Sequence, residues 1–104
     1  MSRQPVRRGL PSMHPGELLR EDVLPALGRP HAEIARLLGV SRQTLHSILT
    51  ERQPVTPLMA LKLGKLCGNG PDLWLALQAR HDLDKLGKAK RAELAAIPTL
   101  AAAE

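Results

Sequence analysis

HAEIARLLGVSRQTLHSIL, residues 31–49, holds two short apolar periods with a glycine between them. Ile34, Leu38, Leu45 and Ile48 recur at helical spacing, on either side of the tight segment Leu38-Gly39-Val40-Ser41. Gly39 can take a positive φ, which a turn this short between two helices requires. Ser41 follows as an N-cap, so a short helix over 31–38 hands over to one that begins at Arg42. Ala35 is small where the second of these must approach the first. Ile34, Leu38, Val40, Leu45 and Ile48 are the expected inner face.

The pattern resembles the helix-turn-helix of phage-repressor-type regulators. The resemblance makes the outward positions of the second helix the readable ones. They are Ser41, Arg42, Gln43, Thr44, Ser47 and Thr50, with Arg52 just beyond. Helix-turn-helix proteins point the start of that helix at base edges in the major groove. Arg pairs bidentately with guanine and Gln with adenine. Ser and Thr hydroxyls serve bases or phosphates, and a helix start attracts phosphate. Arg52, Lys62 and Lys65 fit either DNA-backbone contacts or plain solvated cations. His46 lies on the exposed side and reads as a solvated imidazole.

The charge agrees with a polyanion partner. The chain of 104 residues carries a formal net charge of +5 and a pI of about 10.2, the footprint expected of a nucleic-acid-binding domain. From Gly28 to Gly70 six bases (Arg29, Arg36, Arg42, Arg52, Lys62, Lys65) face only Glu33 and Glu51, whereas from Pro71 onward five bases meet five acids. The positive excess therefore sits around the two short helices and in residues 1–13, which hold Arg3, Arg7 and Arg8 without an acid. That arm fits a minor-groove strand or, more simply, an unstructured tail.

Outward from the centre, a first helix is expected to open at Pro15, a favoured first helical position, and to stop before Pro25. The helix from Arg42 is expected to run through Arg52. Thr56 caps a fourth helix over 57–67, with Gly68 past its end. A fifth runs from Asp72 to about Ala89, and residues 91–104 form an Ala-rich tail interrupted by Pro98, expected to fray. The domain organisation is then a basic arm over 1–13, a DNA-binding domain over 14–90 and the tail. The fold class is all-α.

The flanking stretches carry a closer resemblance. HPGELLREDVLPALG precedes the centre, and VTPLMALKLGKLCG and PDLWLALQARHDL follow it. Their order resembles the HigA family of antitoxins, kin of VapI-type plasmid maintenance proteins, over about residues 13–84. The most specific pieces are His14-Pro15-Gly16 with Leu18 and Leu19, and Trp74-Leu75-x-Leu77-Gln78-x-x-x-Asp82-Leu83. Cys67 and His81 stand where that family often has aromatic rings. The resemblance implies a five-helix, lambda-repressor-like domain, usually a homodimer. It also implies binding to double-stranded operator DNA and neutralisation of a HigB toxin, a RelE-like endoribonuclease that cuts mRNA on the ribosome.

Trp74 is the only aromatic residue; Phe and Tyr are absent. A Trp buries roughly 150–250 Å², so Trp74 is expected to lock the fifth helix onto the body rather than to anchor a ligand. Leu73, Leu77, Gln78 and His81 share its helix as structural or dimer residues. An enzyme is not expected. His14, His31, His46 and His81 show no metal-ligand spacing, no Gly-rich phosphate loop is present, and Cys67 sits at a helix C-terminus as a small core residue. No cofactor and no metal are expected. A lone cysteine, no signal peptide and no apolar run near the ~18 residues of a span point to a soluble, cytoplasmic protein, not a membrane one. A stand-alone dimeric repressor without a toxin partner remains the alternative. A protein-interaction adaptor on a degenerate helix-turn-helix is a third class, which predicts no salt-dependent DNA binding.

Overall fold

A computed structural model describes residues 12–101. All but the last two residues of the expected arm, including Arg3, Arg7 and Arg8, lie outside them, as do residues 102–104. The first helix, α1, is built of an α-helical start, Pro15–Leu18, a π-helical turn, Leu19–Val23, and an α-helical end, Leu24–Leu27. There follow α2 (His31–Leu38), α3 (Arg42–Leu49), α4 (Pro57–Cys67), α5 (Asp72–Ala89) and α6 (Arg91–Ala95). There is no strand among the described residues.

Local signals explain most boundaries. Ser41 Oγ accepts the Thr44 N–H at 3.0 Å and Thr56 Oγ1 accepts that of Met59 at 3.2 Å, so α3 and α4 start on capped turns. Gly39 closes α2 with φ +73, and Val40 N–H returns to the Ala35 carbonyl.

Two boundaries differ from the sequence reading. α1 does not stop before Pro25; it continues to Leu27. The Leu24 N–H reaches back five residues to the Leu19 carbonyl. This wide turn opens the ladder where the Pro25 ring would otherwise crowd the carbonyl of residue 21. α3 ends at Leu49 rather than Arg52. Glu51 adopts φ +64, and its N–H bonds the Ile48 carbonyl while that of Arg52 bonds Ser47. This is a Schellman closure built without glycine. The tail is not wholly irregular either, since Arg91–Ala95 form α6, which buries none of its residues.

The core draws on every helix but α6. Leu19 and Leu24 of α1, Ile34, Ala35 and Leu38 of α2, and Leu45, Ile48 and Leu49 of α3 pack with Val55, Met59, Ala60, Leu63 and Trp74. Full burial contributes roughly 1.5–3 kcal/mol per large side chain. That outweighs the few tenths by which helix propensities differ, so packing rather than propensity holds the eight-residue α3.

On α5 the inward face is Trp74, Leu75 and Gln78. Trp74 is fully buried, and its Nε1–H points to Asn69 Oδ1 at 3.3 Å. Leu77 and His81 are half-buried and Leu73 is exposed, so Leu73 does not join the core of this chain. Gln78 straps α5 to the loop after α3. Its Oε1 accepts the buried Val55 N–H at 2.7 Å and its Nε2 donates to Asp82 Oδ1 at 3.0 Å. Gln78→Leu keeps the volume and strands the Val55 donor. The expected cost is about 1–3 kcal/mol, read as a lower urea midpoint; an unchanged midpoint would mean that the Gln78 strap does not stabilise the fold.

Candidate nucleic-acid interface

α3 is two-sided. Leu45, Ile48 and Leu49 are buried, while Arg42, Gln43 and His46 are exposed and Thr44 and Ser47 half-buried. The outward residues of its first turn and a half stand close together. Arg42, Gln43 and His46 line one recess with Leu45 and with His31, the first residue of α2.

The other expected site residues are placed differently. Ser41 is largely committed to structure, because its Oγ accepts the Thr44 N–H and also donates to Thr44 Oγ1 at 2.9 Å. Thr50 lies at the opposite end of α3, about 12 Å along the axis from Arg42 at 1.5 Å per residue. Its hydroxyl donates to the His46 carbonyl at 2.9 Å. Arg52 is exposed beyond that end. Lys62 Nζ sits 3.5 Å from the Gly39 carbonyl, beside the turn between α2 and α3, and Lys65 lies one turn further along α4.

The charges favour an anion. Arg20 is held by Glu21 and Glu51, and Arg29 by Glu33. Arg36, Arg42, Arg52, Lys62 and Lys65 have no carboxylate partner among the described residues. Ion pairing therefore leaves free the cations next to α3 and the α2–α3 turn, as it does Arg80, Lys85 and Arg91 on α5 and α6. Cys67 is half-buried against the core, and burial pushes its thiol above the ordinary value, away from reactivity. No group of three or more His, Cys, Asp or Glu able to hold a metal ion occurs among the described residues. None of their helices is long and apolar enough to cross a membrane.

No family model matches the chain. Among curated proteins, virulence-associated protein A' of Dichelobacter nodosus is 41% identical over 76 residues, which are 72% of this chain and 65% of that protein, just under two thirds of its length. Among solved structures, antitoxin GraA in complex with its operator superposes with a TM-score of 0.82 at 35% identity, covering 94% of this chain and 100% of that one. Antitoxin HigA of Pseudomonas aeruginosa, solved with the higBA promoter, superposes at 0.80 with 30% identity, over 86% of this chain and 99% of that one. The chain belongs to the HigA family of helix-turn-helix antitoxins.

Within this HigA-family domain, α1 supplies supports for α3: Gly16, marked in the sequence only as part of a family motif, and Arg20, which the sequence reading did not single out. A Cβ on Gly16 would fall 1.9 Å from the Ile48 carbonyl oxygen, so glycine there lets the start of α1 lie against the backbone of α3. Arg20 Nη1 donates to the Leu49 carbonyl at 2.6 Å, closing the C-terminal end of α3. Glu21 and Glu51 hold the Arg20 guanidinium more firmly protonated than usual. On α4, a Cβ on Gly64 would meet the Gly70 carbonyl carbon at 2.2 Å, so that helix presses onto the turn leading to α5. The one available signal was a glycine placed inside a helix with no turn to make.

Proposed function

We propose that this chain is the antitoxin of a type II toxin–antitoxin pair. It represses its own operon by sequence-specific binding to operator DNA and neutralises a HigB/RelE-like mRNA endoribonuclease. The observation that carries the DNA reading is the outer face of α3. Arg42 and Gln43 stand exposed there without an acidic partner among the described residues, on a helix whose other face is fully packed.

Arg42 would take a guanine edge and Gln43 an adenine edge. Thr44 and Ser47 flank them, and Ser41 fixes the helix start. Arg52, Lys62 and Lys65 would meet phosphates, which position the protein without reading sequence, and Thr50 would join them only by giving up its bond to the His46 carbonyl. Support for the toxin half comes from the family alone, whose solved members are named as antitoxins; their operator and promoter complexes support the DNA half.

A homodimer would complete the reader. Leu83 and Leu86 are exposed on α5, Leu94 on α6 and Ile97 just beyond it, with Leu73 nearer the start of α5. Pairing two copies through this region would bury that apolar surface and set two recognition helices about 34 Å apart, one turn of DNA.

The test is expression of the small open reading frame beside this gene, with and without this chain. Growth arrest by the neighbour, rescue by this chain and co-purification of the two are expected. A harmless neighbour that does not co-purify would overturn the antitoxin reading and leave a stand-alone dimeric repressor.

A further inference from the structure

His14 is a buried imidazole where three helices meet. It is only 4% exposed. Its Nδ1 accepts the Gly16 N–H at 2.9 Å and thereby caps α1. Its ring stands edge-on to that of His81 on α5, with centroids 4.9 Å apart and planes at 80°. Two residues on, Gly16 rests against the Ile48 carbonyl of α3.

An imidazole that accepts through Nδ1 carries its proton on Nε2. A second proton would land on the capping nitrogen, turn the acceptor into a donor and set it against the Gly16 N–H. We propose that His14 and His81 form an acid-released latch that holds the start of α1 against α3 and α5.

The surroundings set the direction. Burial is the main cause that keeps the folded-state pKa of His14 below the ordinary histidine value of 6.5, followed by the charge of His81 and, more weakly, Lys85. Glu51, from the turn after α3, and Asp82 of α5 act the other way without reversing it. The unfolded chain therefore takes up the proton first. The stability that the neutral cap contributes is complete above the ordinary value and is lost as pH falls through the lower folded value. Opening this end of α1 withdraws the Gly16 support from α3 and loosens the helix that carries Arg20. The consequence for DNA rests on the function proposed above.

The test is a pH titration of the full chain by NMR between about pH 8 and pH 5, with thermal melting over the same range. The Gly16 amide and the His14 ring signals are expected to shift together, with the His14 midpoint below that of an exposed histidine. The wild-type melting temperature should fall by several degrees more than that of His14→Asn, which keeps a capping oxygen but does not titrate. A Gly16 amide indifferent to pH while the His14 ring titrates would overturn the latch, as would melting curves that fall in parallel in both proteins. If His14→Asn does not fold, His81→Phe takes its place. It keeps the edge contact and removes the opposing charge, so the His14 midpoint should rise; an unmoved midpoint counts against the pair.

Binding to a DNA fragment from upstream of this gene separates the two ideas. Several-fold weaker binding in acid for wild type than for His14→Asn supports the link from latch to α3. Equal acid responses contradict that link. No binding at any pH overturns the DNA reading and leaves the latch to the Gly16 amide.

Discussion

Trp74→Ala is expected to lower the unfolding free energy by about 3–5 kcal/mol, the usual cost of deleting a buried large aromatic side chain. Nothing in this chain can fill the space, because no other large ring exists. Trp74 is fully buried and shares the core with residues from α1 to α4. The variant also leaves Asn69 Oδ1 without the indole donor. A domain of this size has a total stability near the lower end of about 5–15 kcal/mol, so the loss takes a third of it or more. Loss of ordered α5 would take the proposed dimer and operator binding with it. The measurement is urea unfolding followed by circular dichroism, with sedimentation for assembly. A stable, dimeric Trp74→Ala protein that still bound DNA would contradict this role for the ring.

Gly16→Ala is expected to cost about 3 kcal/mol or more, against the general rule that alanine favours a helix over glycine by about 1 kcal/mol. The added Cβ would lie 1.9 Å from the Ile48 oxygen and 3.0 Å from its carbonyl carbon. A backbone oxygen cannot rotate aside as a side chain can, so α1 must move away from α3. That movement also strains the Arg20 contact to the Leu49 carbonyl. Gly87→Ala is the control. It lies within α5 with nothing within 4 Å of the new Cβ, and it should stabilise by about 0.5–1 kcal/mol. The comparison is of urea midpoints; a large fall for Gly16→Ala and a small rise for Gly87→Ala is the expected pattern. A Gly16→Ala protein as stable as wild type would mean that the close approach of α1 to α3 is not needed.

What was legible in the sequence was local. The bounds of α2 and α4 follow from their apolar periods and from the capping residues around them, and the inner residues Ile34, Leu38, Leu45 and Ile48 are buried as their spacing requires. What was not legible depends on contacts across the chain. Arg20, twenty-nine residues earlier, caps the end of α3 at the Leu49 carbonyl, beside the local closure at Glu51 and Arg52. The run of α1 past Pro25 is decided by a change of helix type that no propensity signals. Gln78 and Asp82 could be marked through family resemblance, but the Val55 N–H that Gln78 holds while Asp82 accepts from its amide lies in another loop. The outward face of α3 was legible because it is the complement of a buried face with a known period. The commitment of the Ser41 and Thr50 hydroxyls to the helix ends is a matter of geometry.

The most direct test of the central claim is the affinity of the wild-type chain and of Arg42→Ala for a DNA fragment from upstream of this gene, across a salt series. Wild type should bind, and its affinity should fall steeply, by about 10³-fold or more between about 50 and 200 mM salt if six or more phosphates are contacted. Arg42→Ala should fold as wild type does and bind roughly 5- to 150-fold more weakly, the equivalent of one lost bidentate base contact at about 1–3 kcal/mol. Binding that ignored both salt and the Arg42 substitution, or no binding at all, would contradict the assignment of α3 as a DNA-reading helix.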